Sequence, residues 1–156
     1  MLYHKSMEIL AKNKKLKFNY EILETFEAGI ELFGFEVKSI RKKGSVNLAG
    51  TYILIQKNEV FWVGARIKPY QPNNIYIDYN ETRNKKLLLK RKEINYLIGK
   101  SKEKGLTLMP VMLYTKRGFI KMELALVRGK KTHDKRESIK KREINRRLKR
   151  ELKSRG

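Results

Sequence analysis

The chain has 156 residues and a formal net charge of +22, because 38 Lys and Arg stand against 16 Asp and Glu. It has no cysteine, which excludes disulfides and thiolate metal sites and is compatible with a reducing cytoplasm. Three kinds of polyanion would balance this charge: nucleic acid, an anionic membrane surface and an acidic protein. The large excess of positive charge favours nucleic acid.

The first half of the chain predicts a strand, a short helix and a hairpin. Residues 19–26 are rich in β-formers and predict the first strand. Apolar side chains at helical spacing predict a short helix over residues 35–42. Residues 51–56 and 60–63 flank a short polar turn, in which Asn58 tolerates positive φ, and this pattern predicts a hairpin.

The second half predicts a helix and then another hairpin. Residues 91–104 carry one apolar stripe, and Gly105 is placed to follow the end of that helix. Residues 107–114 and 119–127 flank a polar turn and predict the hairpin. Because proline has no N–H to donate, Pro110 predicts an edge or a bulge in the first of these strands.

The return strand of the second hairpin alternates between apolar and polar side chains. Ile120, Met122, Leu124 and Leu126 share one face, which predicts the core side, and Lys121 then faces solvent. Five strands with a helix between the third and the fourth is the order of an OB-fold. The sequence therefore predicts a mainly β, OB-like closed barrel with two short helices.

The charge is unevenly spread, which predicts two domains. Residues 128–156 hold 14 Lys and Arg against 4 Asp and Glu, a net charge of +10. We expect an RNA-binding barrel over residues 1–128 and a basic tail over residues 129–156. Within the tail, Ile144, Leu148 and Leu152 form a stripe too narrow to order a helix alone. We expect a tail that is disordered when free and becomes a helix of about 40 Å against RNA.

Few residues offer catalytic chemistry. His4 and His133 have no second histidine at metal-ligand spacing, and no glycine-rich phosphate loop is present. Glu21, Glu24 and Glu27 would not share one face of a strand, so we interpret them as balancing charge rather than as an acid–base pair. We expect no enzyme activity, no metal and no cofactor. Two alternatives to a non-catalytic RNA-binding adaptor stay open. One is an enzyme, a metal-dependent nuclease, and the other is a structural rRNA-binding protein.

Basic clusters and aromatic residues are the candidates for RNA contact. The clusters lie at residues 12–17, 38–43 and 83–92, and each lysine or arginine that neutralises a phosphate releases a counterion. A solvated surface is the alternative for any one cluster. Aromatic candidates for base stacking, for which core packing is the alternative, are Tyr20, Tyr52, Trp62, Tyr70, Tyr76 and Tyr79.

A signature at residues 27–41 begins EAGI and continues from residue 34 as GFEVKSIR. Four further segments accompany it in a fixed order, namely AKNKK at residues 11–15, VNL at 46–48, KLLL at 86–89 and GKKTHDKR at 129–136. Together these segments resemble the SmpB family, the tmRNA-binding (SsrA-binding) proteins of trans-translation, from about residue 7 to residue 142.

The resemblance implies an adaptor that binds the tRNA-like domain of tmRNA and delivers it to stalled ribosomes. It implies indirect partnership with EF-Tu and alanyl-tRNA synthetase. It also places the tail against small-subunit rRNA, near the decoding centre and in the empty mRNA channel. We expect a cytoplasmic monomer without a membrane partner. No apolar run approaches the roughly 18 residues that a membrane span needs, and residues 1–6 lack the apolar segment of a signal peptide.

The resemblance carries Asn13, Glu27, Leu88 and Lys121 over to the tmRNA-binding surface. Three roles are open for Glu27. It would accept a hydrogen bond from a base edge or a 2′-hydroxyl, orient a neighbouring lysine, or have a structural role in the body of the protein. The basic clusters add four lysines to the same surface, Lys14, Lys15, Lys38 and Lys86. The tail residues that the resemblance places at the ribosome are Lys130, Lys131, His133, Asp134, Lys135 and Arg136.

Overall fold

A computed structural model describes residues 7–70 and 78–155 of the chain. The elements in these residues are, in chain order, β1 (Glu8–Lys12), α1 (Leu16–Asn19), β2 (Tyr20–Ile30), α2 (Gly34–Arg41), β3 (Tyr52–Gln56), β4 (Glu59–Val63), β5 (Lys85–Leu88), α3 (Arg91–Ser101), β6 (Leu106–Lys116), β7 (Phe119–Gly129) and α4 (Thr132–Arg155). The strands form one antiparallel sheet in the order β1-β6-β7-β2-β5-β4-β3. The mainly β prediction is confirmed, and closure of this sheet into a barrel stays a prediction.

Two-residue turns connect β3 to β4 and β6 to β7. The φ angles are 50° and 63° at Lys57 and Asn58, and 52° and 82° at Arg117 and Gly118. Positive φ at both central residues is the turn geometry whose twist matches antiparallel strands. Both predicted hairpins are confirmed, including the positive φ at Asn58.

Strand β7 is an interior strand of the sheet and pairs with both β2 and β6. Its predicted core residues Ile120, Met122, Leu124 and Leu126 are all buried, as predicted. Burial alternates from Phe119 to Leu124, and beyond this point Ala125 on the opposite face is buried as well. On β6 the register shifts between Pro110 and Met112, which is the bulge that the proline predicts. This alternation fixes which side chains of β7 point away from the core.

Two helices cover the core. Helix α2 contributes Ile40, and helix α3 contributes Leu97, which is fully buried. Backbone N–H groups at the two helix starts are capped by glutamates, from Phe33 to Glu36 at 2.7 Å and from Lys90 to Glu93 at 3.2 Å. The largest apolar side chains of the core are Trp62, Ile40, Leu48, Ile67, Leu87, Leu97, Leu113, Met122, Leu124 and Leu126.

Three elements, β1, α1 and β5, are absent from the sequence prediction. Strand β2 extends to Ile30, four residues beyond the predicted strand, and it is the second strand of the chain. Helix α3 ends at Ser101 rather than at residue 104. Gly105, with φ of 84°, therefore lies in the turn that leads into β6 and does not directly follow the helix.

The C-terminal segment is helical over Thr132–Arg155. Its apolar residues Ile144, Leu148 and Leu152 are exposed. The helix contacts the body where the guanidinium of Arg142 lies 5.7 Å from the ring centroid of Phe18. The disordered free state and the division into domains at residue 128 stay predictions.

Candidate nucleic-acid interface

Strand pairing brings residues from three distant parts of the chain side by side. On the side of the sheet away from the core, Gly29 of β2 pairs with Leu88 of β5 and with Lys121 of β7. A Cβ atom added to Gly29 would lie 3.4 Å from Cβ of Leu88 and 3.7 Å from Nζ of Lys121. An exposed leucine and a half-buried lysine therefore lie on either side of a bare stretch of backbone.

Glu27 lies two residues before Gly29 and faces the same side of the sheet. Tyr114 donates its O–H to Oε2 of Glu27, and Nζ of Lys116 lies 3.2 Å from both carboxylate oxygens. The hydrogen bond from Tyr114, supported by Lys116 and Lys121, holds the pKa of Glu27 below its ordinary value against the effect of burial. Glu27 is thus a carboxylate that orients Lys116, which is one of the roles considered for it above.

We define the outer face as Glu27, Gly29, Leu88, Lys116, Phe119 and Lys121. Tyr114 pairs with Lys121 and therefore lies on the same side of the sheet. Burial and the hydrogen bond to Glu27 raise the pKa of Tyr114, which keeps its hydroxyl protonated as a donor. The sequence analysis did not name Lys116 or Phe119 as an RNA contact, since the pattern places Lys116 in the turn and Phe119 only at the start of the return strand. The alternation of β7 gives the one available signal, because it sets Phe119 on the side of Lys121.

Asn13 lies at the edge of the sheet, directly after β1. Its side-chain Nδ2 donates to the carbonyl of Pro110 at 3.0 Å, and its backbone N–H donates to the carbonyl of Val111 at 2.8 Å. Asn13 therefore anchors the turn that carries Lys14 and Lys15, both of which are exposed.

The two remaining predicted lysines lie on different elements. Lys86 is on the same side of β5 as Leu88, and its Nζ lies 3.8 Å from a carboxylate oxygen of Glu59. Lys38 is exposed on α2, where its Nζ lies 5.9 Å from the ring centroid of Tyr70. The structure thus sets Lys86 beside the outer face, whereas Lys38 lies on a helix outside the strand rows.

The basic cluster at residues 83–92 is only partly available to RNA, which corrects the sequence interpretation. Lys85 is completely buried and donates to the carbonyls of Ala65 at 2.7 Å and Glu81 at 3.3 Å. Burial lowers the pKa of Lys85 to about 8. Arg83 forms an ion pair with the buried Glu36. These two cations support the fold rather than a solvated surface.

Glu36 is the acceptor at the centre of that buried network. Burial alone would raise the pKa of Glu36, but hydrogen bonds from Arg83, the Phe33 N–H and Tyr79 hold this pKa below its ordinary value. The hydroxyl of Tyr79 lies 2.7 Å from Oε2 of Glu36. The network joins the start of α2 to the segment before β5.

The predicted aromatic contacts divide by burial. Trp62 is completely buried, with Nε1 donating to Oγ1 of Thr51 at 3.0 Å, so it belongs to the core. Tyr52 and Tyr70 are exposed. Tyr20 is half-buried, Tyr79 belongs to the buried network, and Tyr76 lies outside the described residues.

The predicted ribosome-binding residues lie at the junction of β7 and α4. Lys130 is half-buried, and its backbone N–H donates to the carbonyl of Asn19 at 2.9 Å. Lys131 and Arg136 are exposed. The side chains of His133, Asp134 and Lys135 lie outside the described part of the structure.

Residues 7–70 and 78–155 hold neither a membrane-spanning helix nor a cluster of metal ligands. No helix in these ranges is both long and apolar enough to cross a membrane. No group of three or more His, Cys, Asp or Glu in the same ranges is arranged to hold a metal ion.

Fold and site define a mainly β protein with cationic side chains and an exposed leucine and phenylalanine on one sheet face. The chain belongs to the SmpB family, whose model, described as "SmpB protein", matches residues 10–154. Its relatives include the SsrA-binding protein of Trichormus variabilis, 48% identical over 149 residues that cover 96% of each chain. The SsrA-binding protein of Mesoplasma florum is 50% identical over 145 residues, which cover 93% of this chain and 97% of the relative.

A solved structure shares the fold. It is described as "tmRNA-SmpB: a journey to the center of the bacterial ribosome" and superposes with a TM-score of 0.62 at 42% sequence identity. The match covers 78% of this chain and 84% of the other chain. The resemblance found in the sequence is thereby confirmed at the level of the family and of the mainly β fold.

Proposed function

We propose that this chain is an RNA-binding adaptor of trans-translation, which binds the tRNA-like domain of tmRNA and delivers it to stalled ribosomes. One observation carries the proposal for this chain's own residues: strand pairing sets Leu88, Gly29 and Lys121 side by side, with Glu27 on the same face. A lysine beside bare backbone and an exposed leucine suits the phosphates and riboses of a folded RNA.

In this proposal the outer face binds tmRNA and the tail probes the ribosome. Asn13, Lys14, Lys15 and Lys86 extend the tmRNA-binding surface around the outer face, and Lys38 adds a more distant cation. The 24 residues of α4 would span about 36 Å at 1.5 Å per residue. A cationic rod of that length suits an RNA-walled mRNA channel, with residues 130–136 near the decoding centre.

The remaining parts of the proposal concern partners and chemistry. The chain acts as a cytoplasmic monomer and catalyses no reaction of its own. Alanyl-tRNA synthetase charges the tmRNA, and EF-Tu accompanies the charged complex to the ribosome. The support for an RNA-binding adaptor is the net charge of +22 and the placement of Lys116 and Lys121 on one face of the sheet, where each can neutralise a phosphate.

The direct test is to purify the protein from cells and sequence the RNA bound to it. The adaptor is expected to retain one dominant tRNA-like species and to associate mainly with stalled ribosomes. A structural rRNA-binding protein would instead stay with ribosomal subunits at high salt, with or without tmRNA.

Lys121→Ala tests the outer face itself. If Lys121 makes a charge-assisted hydrogen bond to RNA, its loss is expected to weaken tmRNA binding by about 1–3 kcal/mol. The matched control is Lys104→Ala, which removes an exposed lysine from the turn after α3. Equal binding by wild type and Lys121→Ala in a filter-binding titration would place Lys121 outside the interface.

A further inference from the structure

Phe119 is a large apolar side chain at an unusual place. It is the first residue of β7 and is 68% exposed. It faces the same side of the sheet as Lys121, whose Nζ lies 5.9 Å from the centroid of the phenyl ring. The ring thus forms one end of the outer face and is adjacent to a cation.

The turn before Phe119 is tied to the body of the protein. The guanidinium of Arg41, at the end of α2, donates to the carbonyl of Gly118 at 2.8 Å. Phe119 itself pairs with Lys116 across the hairpin. A ring on an anchored two-residue turn loses little conformational entropy on binding, which is the condition for an effective aromatic contact.

The surroundings of the ring select its partner. Single exposed apolar side chains are common on protein surfaces and need no partner. Phe119 differs because Lys116 and Lys121 flank it, and Glu27 orients Lys116 with both N–O distances at 3.2 Å. An aromatic ring beside cations is the arrangement that stacks on a nucleobase while the cations neutralise adjacent phosphates.

We propose that Phe119 is a stacking residue of the interface, on which an unpaired base of the bound RNA lies, with an adjacent phosphate at Lys121. The inference rests on the proposed function and adds a second kind of contact to it. Stacking depends weakly on salt, whereas the contacts of Lys116 and Lys121 release counterions and depend strongly on it.

The first test is a binding titration of Phe119→Ala against a transcript of the tRNA-like domain of tmRNA at several salt concentrations. The expected result is an affinity lower by about tenfold, with an unchanged slope of log affinity against log salt. Lys121→Ala is expected to reduce that slope by about 1. A Phe119→Tyr variant should bind with the affinity of the wild type, because tyrosine keeps an aromatic ring at this position. Tyr96→Ala is the matched control, since Tyr96 is an exposed aromatic residue on α3, away from the outer face, and it should leave binding unchanged.

The second test uses fluorescence. The chain has one tryptophan, Trp62, which is completely buried and gives a constant background. In a Phe119→Trp variant, RNA binding is expected to quench the emission of the introduced, exposed indole. Bound RNA without any change in emission would overturn the contact, as would wild-type affinity in Phe119→Ala. Failure of the wild-type protein to bind the transcript would overturn the proposed function, and the stacking contact with it.

Discussion

The outer face and α4 are both cationic, but they are built in different ways. The outer face sets Glu27, Leu88 and Lys121, which are far apart in sequence, on paired strands above a buried core. Helix α4 is a local structure whose stripe of Ile144, Leu148 and Leu152 is exposed. The difference suggests two kinds of recognition: the sheet presents a fixed arrangement of groups, and the helix presents charge along an exposed rod.

The largest effect is expected when the tail motif at residues 134–136 is removed, because this change should affect only one of the two regions. Replacing Asp134, Lys135 and Arg136 with Ala is expected to stop peptide tagging on stalled ribosomes and to leave tmRNA binding intact, because the outer face is unchanged. Tagging is measured in a reconstituted translation reaction on a truncated mRNA, and binding is measured by titration. Equal loss of both activities would contradict the division of roles.

The two regions are also expected to differ in their contribution to stability. Leu124→Ala leaves a cavity in the core and should lower the free energy of unfolding by about 2–5 kcal/mol. Leu148→Ala, the matched change on the exposed stripe of α4, should alter it by less than about 0.5 kcal/mol. Chemical denaturation of both variants measures the difference. A comparable loss in the two variants would show that α4 packs as part of the body.

The smallest expected effect concerns the carboxylate of the outer face. Tyr114→Phe removes the hydrogen bond that most lowers the pKa of Glu27, so this pKa should rise towards its ordinary value of 4.5. Because the folded-state pKa is lowered, the carboxylate contributes stability above pH 4.5 that is lost as the pH falls through the folded-state value. A carboxyl NMR titration of wild type and variant measures the shift. An unchanged pKa would show that the cations alone hold it low.

The sequence predicts best where one local pattern decides the structure. The alternation from Ile120 to Leu126 predicted the faces of β7, because one side of that strand packs on the core. Asn58 predicted its turn, because positive φ is a local property. Strand β5 was missed because its first residue, Lys85, points inward and is satisfied by carbonyls distant in the fold. No periodicity of charge predicts a buried lysine.

The sequence predicted several residues of the candidate site, but it did not predict which of them are adjacent in the sheet. Leu88 lies in a segment that resembles a known family, and Lys121 was carried over by position after the alternation had predicted that it faces solvent. The resemblance gives no register. The register that sets both beside Gly29 follows from pairing of β2 with β5 and β7. The partners of Glu27 are equally non-local, since Tyr114 is 87 residues away. Long-range pairing therefore supplies what sequence patterns omit.

The most direct test of the account is to measure tmRNA binding by a chain that ends after Gly129, the last residue of β7. At physiological salt the truncated chain is expected to bind the tRNA-like domain to within about 1 kcal/mol of the full chain. Lys121→Ala in this chain should cost the same about 1–3 kcal/mol, since distant sites contribute independently. Loss of tmRNA binding on truncation, or no effect of Lys121→Ala in the truncated chain, would contradict the claim that the body of the protein recognises tmRNA through the outer face without α4.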